Sequence, residues 1–117
     1  MDPKAPAGAG GWGLGYAISK GALHRVAGVL NAELEGTGVF CVNVDPGYVG
    51  TERIAQDMAR FGYDVSDAAP PDAVGTAVAW LATENRAAAW GNRMFVAQEV
   101  CAEQGLLPGF TPVANPG

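Results

Sequence analysis

The run "VFCVNV", residues 39–44, constrains this chain more than any other feature. It is β-branched and aromatic, and apolar on both alternating faces except at Asn43. A strand with one wet face alternates; one that is apolar on both faces reads as a parallel strand covered on two sides. A parallel strand needs a partner reached by a long crossover. "RMFVAQ", residues 93–98, supplies the expected second strand. Between the two, Pro70 and Pro71 open a helix, since proline is tolerated in a first turn. Val74, Ala77, Val78 and Leu81 form the expected buried stripe of that helix. The chain is therefore expected to be α/β, with a strand–helix–strand unit and a parallel pair.

Ahead of this unit, residues 16–35 carry a helical pattern. Leu23, Ala27, Leu30 and Leu34 recur at helical spacing beside Val26, and Gly36 and Gly38 supply the stop. Ile18, Ala22, Val29 and Ala32 form a second small or apolar stripe. A helix apolar nearly all round is normally covered on two sides, here by its own core and by another part of the domain or a second subunit. "DPGYVGT" at 45–51 breaks the first strand abruptly, and "ERIAQDMAR" at 52–60 is a possible short helix. "YDVSDAAPP" and "ENRAAAWGN" read as connections, and "GLLPGFTPVANPG" as a tail lying over the surface.

Bulk properties exclude several classes. The chain has 117 residues, room for one small domain. Its net charge of −5 offers no basic footprint for nucleic acid. No run approaches the roughly 18 apolar residues of a membrane span. The start lacks the basic and apolar regions of a signal peptide, so a cytoplasmic location is the default expectation. Cys41 and Cys101 have no metal-ligand spacing, and Cys41 reads as a buried, inert thiol. One histidine gives no basis for a zinc site.

Two glycine-bearing stretches could carry chemistry. Gly8, Gly10 and Gly13 match G-x-G-x-x-G, but that spacing has meaning only between a strand and a helix. The preceding "MDPKAPA" has two prolines and no apolar run, so residues 1–15 read as a Gly/Pro-rich surface loop. In the following "YAISK", Tyr16 and Lys20 stand one turn apart on one helix face. A phenol normally ionises near pH ~10, and a nearby ammonium favours its phenolate. Such a pair suits proton exchange with an alcohol or carbonyl oxygen. The bare pair reads equally as a surface lysine beside a half-buried tyrosine.

Context goes further. "YAISKGAL" has the form Y-x-x-S-K-x-A-L, and after one helix and one strand "VNVDPGYVGTE" has the form P-G-x-V-x-T. Together they resemble the classical short-chain dehydrogenase/reductase family, over about residues 12–100. The resemblance implies the C-terminal part of a Rossmann-like doubly wound parallel sheet, with two strands and about three helices. It implies an oxidoreductase that interconverts an alcohol and a carbonyl with NAD or NADP. Tyr16 would be the catalytic acid-base; Lys20 would lower its pKa and hold the nicotinamide ribose. Pro46 and Gly47 would turn the chain beside the nicotinamide, Val49 would meet its amide through the backbone, and Thr51 would bind the amide or phosphate region. This fits ligand binding outside the carboxyl ends of strands. Residues 52–69 correspond to the family's substrate-covering loop, or are a plain loop.

The family's G-x-x-x-G-x-G cofactor loop has no counterpart in the sequence, and the family serine would fall on Pro3. The expectation is that the chain starts inside the connection before the catalytic helix, without the N-terminal cofactor half. The serine then lies upstream of Met1 or is lost. The organisation expected is a loop at 1–15, a partial dehydrogenase domain at 16–100 and a tail at 101–117. Two functions follow: part of an NAD(P)-dependent oxidoreductase acting on a small alcohol or carbonyl, or a non-catalytic remnant serving as an association module. Homo-oligomerisation through helix 16–35 is expected in either case.

Overall fold

The computed structural model describes residues 13–60, 62 and 64–113. Its elements run α1 (Leu14–Glu33), β1 (Asn43–Asp45), α2 (Glu52–Arg60), α3 (Pro71–Leu81), a 3₁₀ turn (Arg86–Ala89), β2 (Met94–Val96) and α4 (Ala97–Glu103). β1 and β2 form a parallel pair in the register Asn43–Met94, Val44–Phe95 and Asp45–Val96. The α/β class and the parallel crossover are as the sequence implies. The details depart from it in four places.

The first departure is the strand at 39–44, which shrinks to Asn43–Asp45. A ladder extends only as far as its partner, and β2 offers three residues. Upstream, Cys41 pairs with a side chain instead: its N–H donates to Asn31 Oδ1 at 2.7 Å and its carbonyl accepts from Asn31 Nδ2 at 2.8 Å. One asparagine thus supplies the two bonds a neighbouring strand residue would give. Nor is the run covered on both sides, since Val39, Phe40 and Val44 are exposed and Val42 packs against the core. Cys41 is half-buried rather than buried.

The second departure is α1, which begins at Leu14, two residues before the expected start. Gly13 takes the extended N-cap conformation, and its carbonyl accepts from Ala17 N at 3.2 Å. Gly36 follows the helix with φ +79°, the left-handed stop that glycine permits. Of the expected buried stripe Ala27 alone is buried, Leu30 and Leu34 are half-buried, and Leu23 is 55% exposed. Twenty residues of helix span about 30 Å. Three-residue strands reach only about 10 Å and cannot cover that length.

In α3, whose N-cap is Pro70, the buried stripe is Ala73, Ala77 and Leu81, with Val74 beside it and Val78 exposed. The stripe is turned from the expected one because α4 packs here, and alanine lets Ala97, Val100 and Cys101 approach closely.

α4 itself lies where a strand end and a tail were expected. β2 passes into it at Val96–Ala97 without a loop. It ends in a Schellman cap: Leu106 N donates to Cys101 O at 2.9 Å, Gly105 N donates to Ala102 O at 3.1 Å, and Gly105 has φ +60°. Leu106, Leu107 and Phe110 then pack onto the core, so the start of the tail is part of the structure. Phe95 and Cys101 lie fully buried at its centre, and Trp90 meets Phe95 edge to face, with ring centroids 5.0 Å apart.

Candidate functional site

The strongest local geometry lies just past β1. The Asp45 carboxylate accepts the Gly47 N–H at 2.9 Å, which starts the turn. Gly47 sits at φ +66°, a conformation that favours glycine, and a Cβ there would lie 2.6 Å from Gln98 Nε2. Gln98, 3% exposed, donates through Nε2 to the carbonyls of Pro46 at 2.9 Å and Tyr48 at 3.2 Å. Its Oε1 accepts from Val113 N at 3.1 Å. Every hydrogen-bonding group of this amide is therefore engaged, and its orientation follows from its partners.

Val49 is buried and bridges Ala69 in parallel fashion. The bonds of this bridge come from its neighbours: Ala69 N donates to Tyr48 O at 3.0 Å, and Gly50 N donates to Ala69 O at 2.9 Å. Such a bridge turns the N–H of Val49 away from Ala69. Thr51 caps α2, its Oγ1 accepting from Ile54 N at 3.2 Å and its carbonyl from Ala55 N at 2.9 Å. The hydroxyl proton of Thr51 remains able to donate. Residues 50 and 69 are thus held together at the base of the excursion that contains α2.

Tyr16 and Lys20 lie in the first turns of α1. The ammonium of Lys20 sits 5.6 Å from the Tyr16 ring centroid, in cation–π range, and the Tyr16 ring is partly open to solvent at 40% exposure for the residue. Ser19 Oγ donates to Tyr16 O at 2.7 Å, so this serine is used by the helix backbone.

Two ties set the direction of α1 against β1. Asn31, near the end of the helix, holds Cys41, whereas His24 O, in its middle, accepts from Asn43 Nδ2 at 2.8 Å. Earlier helix residues meet later strand residues, so the helix runs antiparallel to β1. Tyr16 lies about 12 Å beyond His24 along the helix axis. Gly47 follows the carboxyl end of β1 at Asp45, in the turn that the Asp45 carboxylate starts. Both expected groups therefore stand at the carboxyl end of β1. The 46–51 segment is fastened by Gln98 at the carbonyls of Pro46 and Tyr48 and by Ala69 at Tyr48 O and Gly50 N; Tyr16 and Lys20 share this end of the fold on a separate element.

Other chemistry is sparse. Asp64 has its pKa lowered by the Ser66 hydroxyl at 2.7 Å and then by the Ser66 N–H at 2.9 Å, in an exposed turn. Among the described residues no cluster of histidine, cysteine or carboxylate side chains is placed to hold a metal ion. No helix among them is long and apolar enough to cross a membrane. Gly8 and Gly10 of the G-x-G-x-x-G spacing lie outside the described residues, and Gly13 serves as the helix cap. A shallow cleft of about 380 Å³ opens between residues 66–70 and 107–113. Gln98, Asn31 and Asn43 are the residues that sequence reasoning missed. Each is a lone amide inside or beside an apolar run, which is the signal that could have marked them.

No family model, curated protein or solved structure matches this chain.

Proposed function

We propose that this chain is the carboxyl-terminal part of an NAD(P)-dependent oxidoreductase of the short-chain dehydrogenase/reductase type. The observation that carries this reading is the antiparallel run of α1 against β1, with the Tyr16–Lys20 pair and the 46–51 turn at one end. An open α/β sheet binds ligands at that end of its strands. In this reading Tyr16 exchanges a proton with the substrate oxygen, and Lys20 holds the nicotinamide ribose. The turned-out N–H of Val49 meets the carboxamide, and the Thr51 hydroxyl donates to the amide or phosphate region. The nicotinamide half of NAD or NADP would give hydride to a carbonyl or take it from an alcohol. A small alcohol or carbonyl is the substrate, and a cytoplasmic setting goes with it.

The residues described would meet the nicotinamide end of the cofactor and not its adenine end. Titration with nicotinamide mononucleotide should therefore shift amide resonances at Lys20, Gly47, Val49 and Thr51 in the millimolar range, and adenosine monophosphate should not. Equal responses, or none, would reject the reading. Intact NADH should bind this chain no better than millimolar, because among the described residues no phosphate loop follows a strand. In a protein that also carries a dinucleotide-binding half, Tyr16→Phe should leave cofactor affinity intact and lower turnover by orders of magnitude. Lys20→Ala should damage both.

A second reading has its own support. Ile18, Ala22, Val29 and Ala32 form an exposed row on α1, as an association module without catalysis would require.

A further inference from the structure

Gln98 bonds to two separate segments of this chain, the 46–48 turn and Val113, and the proposed chemistry uses none of its atoms. It is the second residue of α4 and is the buried polar side chain among the described residues. Its two amide protons fall on alternate carbonyls of the turn, Pro46 O and Tyr48 O, more than forty positions earlier in sequence. Tyr48 O also accepts from Ala69 N, so this carbonyl joins the turn to the end of the α2 excursion. Gln98 Oε1 seats the chain at Val113. Gly47 presents no side chain where Nε2 approaches, and any Cβ would collide with it. The turn and the amide are fitted to one another.

We propose that Gln98 is a positioning residue for the proposed nicotinamide-facing turn, with its Nε2 donor pair setting the backbone from Pro46 to Val49. This role rests on the oxidoreductase reading, because that reading gives the turn its ligand. A buried amide satisfied on all sides restricts its partners far more than a surface contact does. If Nε2 is lost, Pro46 O loses its side-chain donor, Tyr48 O keeps only Ala69 N, and the turn loosens. The excursion through α2 then loses its anchor at Ala69, although its own residues are unchanged.

The test is Gln98→Glu in the full chain, followed by amide exchange and amide resonances. This change keeps shape and the acceptor for Val113 N but removes the donors. At neutral pH the amides of Gly50 and Ala69 should exchange about tenfold or more faster, while those of Ala77 and Leu81 in α3 stay protected. On acidification the introduced carboxyl gains a proton it can donate to Pro46 O or Tyr48 O. Burial and the facing carbonyls raise its pKa, so the turn should recover wild-type resonances above the ordinary carboxylate range. A merely space-filling role predicts no such recovery. Gly47→Ala pushes on the same Gln98 contact from the turn side, with no change of sequence in α3 or α4, and should speed exchange at the same two amides.

Affinity for nicotinamide mononucleotide should fall about tenfold in Gln98→Glu at neutral pH and return in acid. Unchanged exchange at Gly50 and Ala69 in either variant overturns the positioning role. Equal nucleotide affinity in wild type and Gln98→Glu overturns it as well, with the oxidoreductase reading left standing. A wild-type chain that never responds to the nucleotide overturns that reading, and the assigned role falls with it.

Discussion

α1 and α4 are opposites. α1 has twenty residues, a regular apolar pattern and one buried side chain; α4 has seven residues and buries Ala97, Gln98, Val100 and Cys101. Helix length and periodicity describe what an element could bury, but stability comes from what actually covers it. α4 is covered by α3, by Phe95 and by the returning chain at Leu106 and Leu107. α1 is held mainly through Asn31 and the bond from Asn43 to His24. One region is packed; the other is tethered.

The largest test of this contrast is Phe95→Ala. It removes the central fully buried ring and should cost about 3–5 kcal/mol, enough to abolish a cooperative melt in a small domain. A persistent sharp transition would mean that the core at α3 and α4 is not what holds the chain. Asn31→Ala should cost about 1–3 kcal/mol, because the backbone groups of Cys41 lose both partners. Hydrogen exchange should then rise across α1 and leave α3 unchanged. If protection is lost equally in both helices, the tether is part of one core and the contrast fails.

A third test addresses the exposed row. A helix with Ile18 62% exposed, beside Val29, Ala22 and Ala32, should draw copies together, as should the unpaired edge of β1. Sedimentation at several concentrations should show self-association, reduced by Ile18→Lys. A single monomeric species with a concentration-independent melt would show that the tethered helix needs no cover. The smallest effect is Leu23→Ala, within about 0.5 kcal/mol despite its place in the apolar pattern. A loss near that of Phe95→Ala would mean that Leu23 is packed after all.

The sequence made α3, α2, the parallel pair and the crossover legible, because proline at a helix start and unbroken apolar runs act locally. α2 falls at Glu52–Arg60, the range read from sequence. The length of β1 was not legible: a strand ends where its partner ends, and β2 is roughly fifty positions away. The face of α3 was legible in part: Val74, Ala77 and Leu81 meet the core, while Val78 is exposed and Ala73 takes its place, since a close neighbouring helix makes small size decisive. α4 was hidden by its brevity, although "EQGLL" holds a glycine stop followed by the apolar residue that a Schellman cap buries. At the candidate site, the turn at Pro46 and Gly47 could be read from the residues, while its fastening by Gln98 could not. Hydrogen bonds between such distant positions leave no periodic trace.

The register that pairs Asn43 with Met94 also bears on synthesis. A ribosome adds about 5–20 residues per second, so β1 is made several seconds before β2 exists to meet it. During that interval α1 can coil from local contacts alone, but the strand has no ladder and Cys41 has only the Asn31 amide. Phe95 arrives late, and with it the centre of the core. The nascent chain therefore carries its apolar 39–44 segment unpaired for the seconds that separate the two strands. That is the window in which a chaperone, or another nascent copy, competes for it.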